Sequence, residues 1–127
     1  MSHQKNKQYS FDEIQSEHDA DLWLPRYVVR HRNLIVGLRL LERLNLRIND
    51  AQPQVWVGAT PKVTLWGNCL ANTGQKLHVY VAAPGASKYT YKGAFKVAKK
   101  KHTAAELADA RQHVSHDLSR IVFLNPA

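Results

Sequence analysis

The spacing of hydrophobic positions changes three times along this chain of 127 residues, and each change predicts an element. Residues 1–9 are polar and aperiodic, and are expected to form a disordered or loosely held arm. Ser10-Phe11-Asp12-Glu13 fits a capping box, in which a hydroxyl and a carboxylate satisfy free N–H groups at a helix start, so a short acidic helix is expected to about Leu22. Pro25 suits the first position of a second helix. From Arg26 to about Leu46, Tyr27, Leu34, Leu38 and Leu41 recur at helical spacing, with Arg32, Arg39, Arg43 and Arg47 on the opposite side. Asn49-Asp50 and Pro53 end this helix.

From Gln54 the period becomes two. Val55 and Val57 alternate; Val63, Leu65, Gly67 and Cys69 share one face of a second strand; Leu77, Val79 and Val81 mark a third. A fourth carries Tyr89, Tyr91, Gly93, Phe95 and Val97 on one face and Lys88, Lys92 and Lys96 on the other. Turn signals at Thr60-Pro61, Ala71-Asn72-Thr73-Gly74 and Pro84-Gly85 separate them at hairpin length. Thr103-Ala104-Ala105-Glu106 is a second capping box, and Leu107, Ala110, Val114, Leu118 and Ile121 predict a last helix running to Ile121. The expected fold is α+β: two N-terminal helices, a four-stranded antiparallel meander and a C-terminal helix packed on the sheet, forming a single domain over residues 10–127.

Charge adds what periodicity does not show. Residues 1–24 carry five acids against two lysines, whereas residues 25–127 carry sixteen Lys and Arg against five acids, within a net charge of +8. Residues 88–101 hold six lysines and no acid. A field of this size attracts polyanions, and nucleic acid is the commonest of them. Cys69 is the only cysteine, which excludes an intrachain disulfide and a cysteine-based zinc site. The polar start lacks the apolar core of a secretory signal, and no apolar run is long enough to span a membrane, so a cytoplasmic protein without membrane contact is expected.

Three groups of residues are candidates for nucleic-acid contact. On the open face of the expected sheet, Trp66 and Tyr80 would stack on bases while Lys88, Lys92 and Lys96 neutralise phosphates; the alternative is a cross-strand aromatic pair or a covered face. Arg32, Arg39, Arg43 and Arg47 would lie along a phosphate backbone from one helical face; the alternative is a solvated face, or one paired with the acidic N-terminal helix. Lys99, Lys100 and Lys101, just before a helix, form the densest positive run. Among seven histidines, His113 and His116 lack a third metal ligand, so neither a metal nor another cofactor is expected. His78 and His102 are an acid–base pair only if the protein cleaves RNA. Phosphate loops, nucleophile elbows and dinucleotide fingerprints are absent.

The leading expectation is a small, basic, non-enzymatic nucleic-acid-binding protein, monomeric or homodimeric through a short seam of Tyr27, His31, Leu34, Leu38, Leu41 and Asn45. The alternatives are an interaction module or inhibitor docking on an acidic protein, and a small toxin-like ribonuclease. The acidic segment 10–21 would either mimic nucleic acid or complete the core through Phe11, Ile14 and Trp23.

Overall fold

A computed structural model describes residues 2–21 and 27–127. Its elements run β1 (Gln8–Tyr9), α1 (Phe11–Glu17), β2 (Val28–His31), β3 (Leu34–Leu41), a 3-10 turn (Glu42–Leu44), β4 (Gln54–Gly58), α2 (Pro61–Ala71), β5 (Leu77–Ala82), β6 (Tyr89–Val97), α3 (Ala104–Gln112) and β7 (Leu118–Pro126). The seven strands form one mixed sheet in the order β2-β3-β5-β6-β7-β4, curled into a half-barrel. β1 and β7 pair with successive stretches of β6, at Tyr89–Thr90 and at Phe95–Val97. Only β3 and β5 are parallel, because the chain leaves β3, builds β4 on the far edge and returns through α2.

This corrects the expected architecture. The class is α+β only in the loose sense: the second N-terminal helix is the β2–β3 hairpin, the strand at 63–69 is α2, and the last helix stops at Gln112 to make room for β7. Pro25 and Arg26, expected to open the second helix, lie outside the described residues, as does Trp23.

The hairpin has a local cause. Arg32 and Asn33 both take positive φ, 50° and 67°, which is what a two-residue turn matched to the strand twist requires. The Asp21 carboxylate accepts from both of their backbone N–H groups, at 3.3 and 3.1 Å, and these bonds, Asn33's foremost, hold its pKa below the usual range. Val28, Val29, Ile35 and Val36 then favour the extended backbone. α2 begins at Thr60-Pro61, the proline taking an early position where its missing N–H costs nothing.

Both faces of the sheet are covered. On the inner face, Ile35, Leu38, Leu40, Val55, Val79 and Val122 pack with Leu70, Val63 and Trp66 of α2. The outer face is covered in two halves. Ile14 of α1 seals Val29, Tyr80 and Tyr91, while α3 brings Ala110 and Leu107 onto Trp56, Leu118, Ile121 and Phe123. The capping box of α1 forms as expected, with Ser10 accepting from the Glu13 N–H at 3.1 Å and donating its own N–H to Glu13 Oε1 at 2.9 Å. Residues 6–9 run along β6, tied by Asn6 N–H to Tyr91 O (2.8 Å) and Tyr91 N–H to Lys7 O (2.9 Å).

Candidate nucleic-acid interface

The strand alternation that places side chains on one face or the other is interrupted by bulges. Tyr80 pairs with Tyr91 and Val79 with Gly93, so Lys92 is the extra residue in β6. Tyr89 and Tyr91 therefore face outward, and Phe95 and Val97 inward, although the sequence places all four together.

Tyr80, expected on an open stacking face, is fully buried beneath α1 and β1. Its hydroxyl lies 2.6 Å from His3 Nδ1 and 2.8 Å from His18 Nε2, while His78 Nδ1 lies 2.7 Å from the Tyr91 hydroxyl. His18 also stacks on His78, their ring centroids 5.1 Å apart. Burial lowers the His18 pKa to about 4 and lowers that of His78, and it raises those of Tyr80 and Tyr91. The Tyr80 hydroxyl can donate to one ring while accepting from the other, and the ring that takes its proton must present an unprotonated nitrogen. This network fastens the N-terminal arm and α1 to the sheet. His102, the other half of the expected acid–base pair, accepts from the Ile121 N–H of β7 at 3.3 Å, in a separate network.

Trp66, the other expected stacking residue, belongs to α2, where its ring lies 4.2 Å from the Arg30 guanidinium. A joint Trp66–Tyr80 platform is thus replaced by two covered aromatics on opposite sides of the sheet. The arginines expected on one helical face are also dispersed. Arg32 is exposed in the β2–β3 turn and Arg43 in the 3-10 turn. Arg39 is buried on the outer face of β3, over the Phe11 ring at 4.1 Å and donating to Gln15 Oε1. Arg47 pairs with Asp109 at 3.2 Å and Asp50 at 3.6 Å.

The lysines fare differently. Lys88 is exposed before β6, Lys92 is half-buried at the bulge and Lys96 is exposed on β6. Lys99, Lys100 and Lys101 are exposed and line a crevice of about 240 Å³ between the end of α2 and β7. Arg120 lines it too, donating to Asn68 Oδ1 at 2.8 Å while its Nε, shielded from solvent, has no partner. Lys100 stands 4.3 Å from the Phe123 ring and 3.9 Å from Glu106, whereas Lys99 and Lys101 form no ion pair among the described residues. The crevice is thus strongly positive, built by a loop and the partner strand of β4. Sequence reasoning missed Arg120 as its fourth cation, because a helix was expected where β7 runs.

A second concavity was not legible in sequence at all. A half-open cavity of about 680 Å³ lies between the 3-10 turn, β4, the start of α2 and the segment 116–117. Its walls are mainly apolar, with Leu40, Leu44, Val55 and Val57 among them, and Tyr27 and Tyr89 also line it. Its inner polar groups are satisfied: Asn45 donates to Leu41 O and accepts from the Trp56 N–H, and Tyr27 Oη donates to Val63 O at 2.9 Å. No group of histidine, cysteine or acidic residues able to hold a metal ion occurs among the described residues.

No protein-family model, curated protein or solved structure matches the chain. Among the described residues, no helix is long and apolar enough to cross a membrane.

Proposed function

We propose that this protein binds nucleic acid mainly through the phosphate backbone, with the crevice of Lys99, Lys100, Lys101 and Arg120 at the centre of the contact. The observation that carries this reading is the convergence of four cations on one concavity in a chain of net charge +8. Self-repulsion among such groups costs stability, and bound phosphates would relieve it. Lys99 and Lys101 form no ion pair among the described residues, so phosphate binding there breaks none of those. Phosphate contacts of this kind position a strand without reading its sequence.

The test is a titration of labelled single- and double-stranded DNA and RNA with the wild type and with the triple variant Lys99→Gln, Lys100→Gln, Lys101→Gln. All three residues are exposed, so the fold should persist by circular dichroism. We expect a loss of affinity of about tenfold or more, roughly equal across sequences. Unchanged affinity contradicts the proposal. A stoichiometric complex with an acidic protein, and no salt-sensitive shift with any nucleic acid, would replace it with a protein-docking role.

A further inference from the structure

We infer that the 680 Å³ cavity is a pocket for a single unstacked nucleobase; this inference rests on the nucleic-acid reading above. Its volume falls in the range of small-ligand sites, about 300–1,000 Å³, and well above the packing voids of a folded domain.

The division of polar groups points to a ligand. Among the lining groups, buried Asn45 and half-buried Tyr27 already hydrogen-bond the protein's own backbone. At the rim three groups are not engaged. The Thr60 hydroxyl makes no capping bond to the helix it precedes. The Tyr89 hydroxyl and the His116 imidazole have no hydrogen-bond partner among the described residues. Asp117 beside them accepts from the Leu118 N–H at 2.9 Å and pairs with Arg111 at 3.2 Å, which leaves carboxylate lone pairs over. Donors and acceptors at the rim of an apolar slot with aromatic side chains match a flat ring whose faces are apolar and whose edge is polar. A carboxylate acts against the head of a fatty acid, and it accepts well from an exocyclic amino group.

Charge complementarity identifies the attachment. Arg43, Lys62 and Lys88 are exposed and are chain neighbours of the lining residues Leu44, Val63 and Tyr89. These cations would supply charge for the phosphates on either side of an extruded nucleotide. Taking a base out of its stack costs a few kcal/mol and is cheapest at mismatched or single-stranded positions, so such a pocket would favour those over perfect duplex.

The probe is 2-aminopurine, both as the free riboside and at one unpaired position of an oligonucleotide. The variant is Ala59→Trp, which fills the cavity from an exposed position without removing a hydrogen bond, with Leu44→Trp as a second variant should the first not fold. We expect wild-type protein to change the emission of the oligonucleotide probe by about twofold or more, and the filled variant to abolish the change while keeping backbone affinity within about threefold. An emission change that persists in the filled variant, or its absence in a wild-type complex, overturns the inference. If no oligonucleotide binds, the nucleic-acid reading fails by itself. The riboside then decides the cavity: saturable binding lost in Ala59→Trp supports the pocket, and no binding overturns it. Saturable binding of a fluorescent fatty acid that the riboside cannot displace also overturns it.

Discussion

The Tyr80 hydroxyl, held between His3 and His18, makes the fold sensitive to protons. The groups facing this cluster are His78, Tyr9, Tyr91 and Glu17, with Lys76 adding a repulsive charge at His78. His18 takes up a proton at about pH 4 in the folded chain, against 6.5 for the free side chain. Between those values the unfolded chain binds the extra proton, so this stabilisation is complete above pH 6.5 and is lost as pH falls through about 4. The lowered His78 acts in the same direction. Glu13, Glu17, Asp21 and Glu106, also lowered, begin to lose their contributions only as pH approaches their ordinary values of 4.5 for Glu and 3.8 for Asp. Urea midpoints measured between pH 7 and pH 5.5 therefore isolate the histidines. We expect a fall in stability worth about 1–2 kcal/mol, discounted for partial solvent exposure, and a flatter profile in His18→Gln. An equally steep profile in that variant would contradict the assignment.

At the scale of elements, the packing of α2 on β4 depends on Gly67. A methyl group there would collide with the Val57 side chain. Gly67→Ala is expected to lose about 1–3 kcal/mol despite alanine's better helix propensity, and Val57→Ala in the same chain should recover part of it. Additive losses in urea denaturation would show that the close approach is not the cause. Bulges explain which elements were legible in the sequence. Val29 pairs with Gly37 and Arg30 with Ile35, so Val36 is extra and Ile35 shares the inner face with Leu38. Gly58 pairs with Leu118 and Val57 with Arg120, so Ser119 is extra and Leu118 shares the outer face with Ile121. In both places a bulge turns a spacing of two into three, which reads as helical. β4, β5 and the extent of β6 were legible because their alternation or turn signals survive. In α2 the apparent alternation of Leu65 and Cys69 hid the helical set Val63, Trp66, Gly67 and Leu70, for both Leu65 and Cys69 are exposed.

For the whole molecule, charge was readable and its placement was not. The acid-free lysine run emerged from composition; three consecutive members of it line one crevice, to which β7 adds Arg120. The arginine stripe dissolved once its helix became two strands, and the stacking pair once α2 and α1 took Trp66 and Tyr80 to opposite sides of the sheet. The acidic segment was expected either to mimic nucleic acid or to complete the core. Ile14 of α1 is fully buried and Phe11 lies beneath Arg39, while Asp12 and Glu13 remain exposed. Phosphate binding at the crevice is most directly tested by the affinity of the wild-type protein for a short duplex across a range of salt concentrations. Four crevice cations, each releasing about 0.9 of a counterion, predict a slope of log affinity on log salt of about −3 to −4. A slope near zero would contradict backbone binding by these residues.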